Sequence, residues 1–244
     1  MEYQSILENL QNEASCFLQH SYLKINEVVI YPKEIEVYYY ESGKFEDYSA
    51  HRNQLQGSIE HKNKFYVHRY GKAKTSKYVK GNRGGCDFVA CEKDGVFYSY
   101  LIRSIVIDGE LFVGPSKSLD AIMKCCGIST HEELEDIQVD IVRYENECDV
   151  LIGERIGLGV TSCTKDNEYK KALLRFVLCD EFFKKRDKHN VGYKKRTDII
   201  DVFLLKKIEK GEMTKEEAIE YSKTWYGAVS KSVSYTHLTL PTIL

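Results

Sequence analysis

The chain has 244 residues, enough to bury a substantial core as one domain or as one domain with an appendage. Charged residues make up 30% and hydrophobic residues 43%, as in ordinary globular proteins, and the net charge of −2 argues against a uniformly basic nucleic-acid binder. No apolar run is long enough to span a bilayer and no N-terminal pattern is typical of a signal peptide, so we expect a cytoplasmic protein without a membrane partner.

The cysteines are scattered along the chain. None belongs to a Cys-x-x-Cys pair with a matching partner pair, so we expect no structural zinc site. The function that we expect for the chain, given at the end of this section, implies no metal and no organic cofactor. Isolated thiols in a chain without a secretion signal are typical of reduced cytoplasmic proteins. The eight are Cys16, Cys86, Cys91, Cys125, Cys126, Cys148, Cys163 and Cys179.

The first predicted elements are a helix and a sheet. Apolar residues at helical spacing in Met1–Leu23 predict an N-terminal helix. Segments rich in β-branched and aromatic residues then predict a largely antiparallel sheet, because short links containing Gly and Asp join several of them. These segments are Val28–Tyr40, Phe65–Tyr70, Cys86–Cys91, Val96–Ile107 and Leu111–Val113.

Two helices and two strands are predicted further along. Ser118–Cys126 reads as a helix that ends at Gly127. A capped helix start is predicted at Ser129–Glu133, with acidic residues in its first turn. Val139–Arg143 and Ala172–Cys179 return to strand.

Glu34, Glu36, Tyr38 and Tyr40 fall on one face of the second predicted element, because alternate side chains of a strand share a face. One interpretation is an exposed face on which tyrosines pack beside solvated glutamates. The other is the floor of a pocket, where a carboxylate activates water beside an aromatic slot for a flat ligand. Burying a carboxylate costs free energy unless it is paired or hydrogen-bonded. The residues that surround the two glutamates therefore decide between the exposed face and the pocket floor.

A basic stretch lies between His61 and Gly85, with eight Lys and Arg residues and no acidic residue. Tyr66, Tyr70 and Tyr78 alternate with these cations, which suits an element that follows phosphates and wedges into a base stack. The alternative is a solvated loop that lysines keep in solution. The cations are Lys62, Lys64, Arg69, Lys72, Lys74, Lys77, Lys80 and Arg83.

The character of the chain changes near Thr197. Asp198–Glu209 and Thr214–Ala228 are charged and helical in pattern, and they predict a helical hairpin. Residues 234–244 resemble the translated product of sequencing-adapter read-through, which has no part in a native fold. We therefore expect a domain over 1–196, a helical appendage over 197–233 and a non-native tail over 234–244.

Several motifs, taken in order, resemble the alkyladenine (3-methyladenine, methylpurine) DNA glycosylases. That family has a Glu-x-Glu-x-Tyr strand with a following histidine, an aromatic hairpin, a Leu-x-Arg strand, a Gly-Pro-x-Lys turn, an Arg-x-Gly step and an Arg-Phe strand. The resemblance covers about Glu34 to Phe176. The matching residues here are Glu34-Ile-Glu36-Val-Tyr38, His51, Lys64–Gly71, Leu101-Ile-Arg103, Gly114-Pro-Ser-Lys117, Arg155-Ile-Gly157 and Arg175-Phe176.

The resemblance implies roles for individual residues. Glu36 deprotonates the attacking water and stabilises positive charge on the sugar, whereas Glu34 has no chemical role. Tyr38 stacks on a base flipped out of the duplex, and His51 contacts its other side. Arg103 lies near the active site or only pairs with a carboxylate, and Lys117 meets phosphate or caps a helix. Arg155 orders the carboxylate cluster.

The chain departs from the family at three places. Aligned on Tyr70-Gly71, Val67 falls where the family has its second stacking aromatic; Tyr66 or His68 takes that place in another register. Tyr70 matches the intercalating tyrosine, but a Lys/Gly insertion carrying Lys72, Lys74, Lys77 and Lys80 follows it. Asp87 stands where the family has an asparagine that screens bases.

Together these features predict a single α+β domain with a curved, mainly antiparallel sheet flanked by helices, plus the C-terminal hairpin. We expect a monomeric, monofunctional DNA glycosylase whose partner is double-stranded DNA with an alkylated or damaged purine. One alternative is a non-catalytic nucleic-acid-binding module of the same fold. Another is a metal-dependent nuclease that uses Glu34, Glu36 and Asp87.

Overall fold

A computed structural model describes residues 2–68, 84–146, 148–156, 158 and 167–182, which form a mixed fold of helices and one curved antiparallel sheet. The strands are β1 Ser21–Ile25, β2 Val28–Glu41, β3 Phe45–Glu46, β4 Phe65–Val67, β5 Cys86–Val89, β6 Phe97–Ile107, β7 Glu110–Val113, β8 Asp140–Arg143, β9 Val150–Gly153 and β10 Arg175–Leu178. The helices are α1 Glu2–His20, α2 Pro115–Cys125, α3 His131–Asp136 and α4 Asn167–Lys171, with a 3-10 turn at Ile59–His61. The predicted fold class is confirmed for this part of the chain.

The two longest strands, β2 and β6, pair along most of their length and form the centre of the sheet. The main path of paired strands runs β4-β5-β6-β2-β1-β8. β10 pairs with β2 and carries β9 on its other side, while β3 and β7 extend β2 and β6 respectively. Every one of these pairs is antiparallel.

The β2–β6 ladder is irregular at one point, and there both strands change which residues, even-numbered or odd-numbered, face the core. The pairs run from Pro32–Ile105 through Glu34–Ser104 to Ile35–Ile102, so the register skips Lys33 on one strand and Arg103 on the other. Core residues have even numbers on one side of this point in β2 and odd numbers on the other, and the reverse switch occurs in β6. An irregularity of this kind re-aims side chains that strict alternation would place on the opposite face.

The core lies between α1 and one face of the sheet. Leu10, Ala14, Phe17 and Leu18 form the buried stripe of α1, at the spacing of an amphipathic helix. Phe17 stacks on Phe88 of β5 with ring centroids 5.6 Å apart. This leaves the opposite face of β5, β6 and β2 for the polar residues described below.

The ends of two helices are held by specific contacts. Gly114, with φ of +105°, turns the chain from β7 into α2, and its amide donates to the Arg103 carbonyl at 2.7 Å. Thr130 caps α3, since its hydroxyl accepts from the Glu133 amide at 3.1 Å, as the sequence predicts. Glu135 of α3 then accepts from the Val67 amide and anchors β4.

Several predicted boundaries need correction. The N-terminal helix ends at His20 rather than Leu23, because Ser21–Ile25 buries every second residue and pairs with both β2 and β8. α2 begins three residues before the predicted Ser118, with Pro115 in its first turn. The strand predicted over Ala172–Cys179 is shorter, Arg175–Leu178, and β9 was not predicted.

Other predictions fall outside the described residues. These are the C-terminal helical hairpin, the boundary near residue 197, the tail from 234, and the basic stretch over residues 69–83. Among the described helices, none is both long and apolar enough to cross a membrane.

Candidate active site

One row of directly paired residues crosses five strands on the polar face of the sheet. Tyr66 of β4 is opposite Asp87 of β5, which is opposite Leu101 of β6, which is opposite Glu36 of β2. Glu36 in turn is opposite Arg175 of β10. Directly opposite residues of antiparallel strands share a face, so these five side chains stand side by side.

Glu36 is fully buried, and three groups hold its carboxylate. Arg103 forms an ion pair with Oε1 at 3.1 Å, and the Ile156 amide donates to the same oxygen at 2.9 Å. The Tyr38 hydroxyl donates to Oε2 at 3.1 Å. A carboxylate has about four acceptor positions, so these contacts leave room on Oε2 for one more donor, such as a water molecule.

Glu34 is also buried, but its partners are structural. Arg175, 1% exposed, donates from Nε to Glu34 Oε1 at 2.6 Å, and Arg103 Nε lies 3.3 Å from the same oxygen. The interpretation of Glu34–Tyr40 as an exposed face with solvated glutamates is therefore wrong. Arg103 does pair with carboxylates, as one alternative held, and it bridges the two glutamates.

Tyr38 forms part of a small apolar floor beside Glu36. It packs with Ala50 and Leu101, and Leu158 lies against the same group. Burial, and then the adjacent Glu36 carboxylate, raise the pKa of Tyr38 well above its ordinary value. The hydroxyl therefore remains a neutral donor at physiological pH.

The Arg155 guanidinium lies over the ring of Tyr38, and none of its described hydrogen bonds goes to Glu36. Its guanidinium lies 4.7 Å from the centre of the Tyr38 ring, and Nη1 donates to Asp47 at 2.6 Å and to the Val37 carbonyl at 3.0 Å. The described hydrogen bonds of Arg155 thus go to Asp47 and backbone carbonyls, while its charge interacts with that of Glu36. Asp47 also accepts from the Ser49 amide at 2.9 Å, a local turn that leads into Ala50 and His51.

The rings of His51, Tyr66 and His68 lie close together beside Asp87. His51 is exposed in the loop after β3, and its ring lies 4.7 Å from that of His68 and 6.5 Å from that of Tyr66. Tyr66 and His68 are both buried, with ring centroids 5.4 Å apart. Val67 between them is fully buried in the core opposite Cys86. The register thus places Val67 in the core, and Tyr66 and His68 on the face that carries Asp87.

A buried hydrogen-bonded group surrounds Asp87. His68 Nε2 lies 2.6 Å from Asp87 Oδ1, while Gln56 Nε2 and Ser99 Oγ donate to Oδ2 at 2.6 Å and 3.0 Å. Burial lowers the pKa of His68, but the adjacent Asp87 charge and its hydrogen bond outweigh this and raise it. Burial, and then the neighbouring His68, lower the pKa of His51.

The structure thus brings together Glu36, Tyr38, His51, Tyr66, His68, Asp87 and Arg103. Lys117 is exposed in the first turn of α2 and takes part in none of the contacts given above for this group. Tyr70, Lys72, Lys74, Lys77 and Lys80 lie outside the described residues.

Three residues of the site escaped the sequence prediction. Asp47 had a local signal, an Asp two positions before a Ser in a polar stretch, which is typical of a side-chain-capped turn. Gln56 and Ser99 had none, because their importance arises only when the pairing of β5 with β6 brings Ser99, and the turn at residues 54–57 brings Gln56, to Asp87.

The carboxylates of the proposed nuclease alternative do not converge. Glu34 and Glu36 are held by arginines, and Asp87 bonds His68 on the other side of Leu101. In the part of the chain that the structure describes, no group of three or more His, Cys, Asp or Glu side chains is placed to hold a metal ion. This geometry does not favour a metal-centred reaction at these three residues.

Comparisons of the chain with protein-family models, with curated proteins and with solved structures found no match.

Proposed function

We propose that this protein is a monofunctional DNA glycosylase that hydrolyses the N-glycosidic bond of an alkylated or otherwise damaged purine in double-stranded DNA. The observation that carries the proposal is Glu36. It is a fully buried carboxylate, oriented by Arg103, Ile156 and Tyr38, with an acceptor position left on Oε2. A protein that only bound nucleic acid would gain nothing from this arrangement, and burying a charge is costly.

The rings beside Glu36 support a flat substrate. Tyr38 and Leu101 form the floor. Tyr66 stands in the same row of paired residues as Leu101, and its ring lies 6.5 Å from that of His51. A purine reaches such a place only after it leaves the base stack, as in other enzymes that act on bases. The damaged nucleotide would then lie with its base over this floor and its sugar near Glu36.

The chemistry follows from that placement. Cleavage of the bond between C1′ and the base gives the sugar oxocarbenium character. Glu36 accepts a proton from the attacking water, and its charge stabilises the positive sugar. Arg103 is a positioning residue, because it bridges Glu36 and Glu34 and fixes the direction of the Glu36 carboxylate.

The first prediction tests this role with Glu36→Gln. Glutamine keeps the shape of the side chain but cannot take a proton from water, so we expect single-turnover base release to fall by about 10²–10⁴-fold. Binding to lesion-containing duplex should change little. The substrates are duplexes with 3-methyladenine, hypoxanthine or 1,N6-ethenoadenine, and binding is followed by fluorescence anisotropy.

Glu41→Gln is the matched control, since Glu41 lies on the same strand and pairs with Lys44 at the end of β2. It should excise as the unchanged protein does, and thermal melting should show that both variants are folded. Equal excision by the unchanged protein and Glu36→Gln would contradict the mechanism. Binding of duplex without excision of any lesion would favour the binding-module alternative.

Removing metal ions with a chelator distinguishes the proposed glycosylase from the metal-dependent nuclease. Water activation by a lone carboxylate does not depend on a metal ion, so excision should persist in EDTA, whereas a metal-dependent nuclease would lose activity.

A further inference from the structure

Three tyrosine rings lie together on the face of the sheet opposite the α1 core. Tyr22 of β1 and Tyr31 of β2 have ring centroids 5.3 Å apart, and Tyr144, just after β8, lies 5.9 Å from each of them. In β1 the alternate residues Leu23 and Ile25 are buried in the core with α1, so Tyr22 points the other way. All three tyrosines are half-buried, and together they form what we call the tyrosine face.

The last described residues lie beside this face. Asp180 Oδ2 is 2.6 Å from Lys33 Nζ, and only 10% and 9% of the two side chains are exposed. The same Nζ lies 5.5 Å from the ring centre of Tyr31 and 5.3 Å from that of Phe182. The Phe182 amide donates to Asp180 Oδ1 at 3.0 Å. Phe182 is therefore fixed at the edge of the tyrosine face, and residues 183–244 start from there.

The first predicted helix of the C-terminal hairpin, residues 198–209, needs cover on more than one side. Seven of its twelve residues are large and apolar, and at 100° per residue they surround the helix, a pattern typical of a buried helix. These seven are Ile199, Ile200, Val202, Phe203, Leu204, Leu205 and Ile208.

The second predicted helix, residues 214–228, has a single apolar stripe. Ala218, Tyr221, Trp225 and Ala228 follow one another at spacings of three and four residues, and charged residues lie on the opposite side. This stripe covers one side of 198–209 when the two helices pair. Another side of 198–209 is then left for the body of the domain.

Chain connection and charge favour the tyrosine face for that side. The fifteen residues 183–197 start at Phe182 and reach about 50 Å at most, so the face is within their range. A tethered segment has an effective concentration of about millimolar, which favours it over a separate partner. The connection carries seven Lys and Arg residues and one acidic residue. Exposed acidic residues, Glu145, Asp149 and Glu181, lie close in sequence to Tyr144 and Phe182.

We propose that residues 198–228 dock on the tyrosine face, with 198–209 between this face and 214–228. The C-terminal segment then belongs to the folded domain, and β1 is covered on both of its faces. This inference does not depend on the glycosylase function.

Hydrogen exchange of the full chain, followed by mass spectrometry, tests the docking. Isolated helices of this length are marginal in water, so docked 198–209 should exchange about 10²-fold or more slowly than a free peptide of the same sequence. Tyr22→Ser combined with Tyr144→Ser removes aromatic contacts and should speed exchange in 198–209 by about tenfold or more. Exchange of β2 should stay slow, which shows that the domain is folded. Tyr48→Ser, the same change at a half-buried tyrosine after β3, is the matched control and should leave 198–209 unaffected.

A reciprocal variant decides if the double tyrosine variant does not fold. Phe203→Asp combined with Leu204→Asp changes only the docking segment, so it should raise the nitration of Tyr22 and Tyr144 by tetranitromethane several-fold. Nitration of Tyr48 should not change.

Three results would overturn the docking. The first is exchange of 198–209 in the unchanged protein that is as fast as in the free peptide. The second is exchange and nitration that neither set of substitutions alters. The third is protection of 198–209 that disappears on dilution as a dimer dissociates, which would assign the tyrosine face to a second copy of the chain.

Discussion

Glu34 and Glu36 are two residues apart on one strand, yet their surroundings give them different tasks. Glu34 bonds Arg175 and lies beside Arg103, so both of its neighbours are cationic and buried or nearly so. Glu36 shares Arg103 but also meets the neutral donors Tyr38 and Ile156. At the residue scale, the Glu34 carboxylate neutralises the buried Arg175, and the Glu36 carboxylate lies beside the floor formed by Tyr38, Ala50 and Leu101.

A second prediction follows for Glu34→Gln. Loss of this charge leaves the buried Arg175 guanidinium without its counterion, and breaking a buried pair in this way typically costs about 3–5 kcal/mol of unfolding free energy. Urea unfolding measures the change. Glu27→Gln, whose side chain is 97% exposed, should stay within about 0.5 kcal/mol of the unchanged protein. A loss from Glu34→Gln as small as that of Glu27→Gln would show that Arg175 does not need Glu34.

At the scale of elements, one face of the sheet packs the core and the other carries the residues of the proposed active site. One face of β5 and β6 packs Phe88 and Tyr100 against Phe17 of α1. The other face carries Asp87 and Leu101. A change in the α1 interface should therefore alter stability without altering the reacting groups.

Phe17→Ala tests this separation and is the third prediction. Phe17 is 6% exposed and packs against the rings of Phe88 and Tyr100, so its truncation should cost about 3–5 kcal/mol of unfolding free energy. At a temperature where the variant is still folded, excision per folded molecule should match that of the unchanged protein. A large drop in excision by fully folded Phe17→Ala would mean that α1 also shapes the polar face.

The sequence was informative where a pattern is local. Alternation along Glu34–Tyr40 placed Glu36 and Tyr38 together, and the Thr130 cap was visible as a capping pattern. The pairing of β4 with β5 was not local, because it depends on which strands meet, and a shift by one residue would exchange His68 with Val67. The Asp87 cluster was hidden for the same reason.

At the scale of the whole molecule, a chain of net charge −2 must concentrate its cations to attract DNA. Lys62, at the start of the basic stretch, already pairs with Glu92 at 2.5 Å. In the proposed glycosylase, phosphate contacts would therefore come from the other cations of the stretch, Lys64 and those of residues 69–83, the latter outside the described part of the chain.

The fourth prediction concerns these lysines. Replacing Lys72, Lys74, Lys77 and Lys80 together by Gln should weaken duplex binding for all sequences alike. It should also flatten the dependence of log K on log salt by about 0.9 for each phosphate that the protein no longer neutralises. Equal replacement of Lys184, Lys185, Lys194 and Lys195, also outside the described residues, is the charge-matched control. A salt slope that the first set leaves unchanged would make the stretch an ordinary solvated loop.

The irregular point in the β2–β6 ladder limits how insertions and deletions can occur at this place in homologues. Lys33 and Arg103 are the two residues that the register skips, and the pairing has the same register before and after them. Deleting either one alone would shift its strand by a residue and turn Glu36 or Leu101 toward the core. Homologues should therefore have gained or lost both positions together. Because Arg103 also holds Glu36, a homologue that lacks both positions would lack the guanidinium that orients this carboxylate.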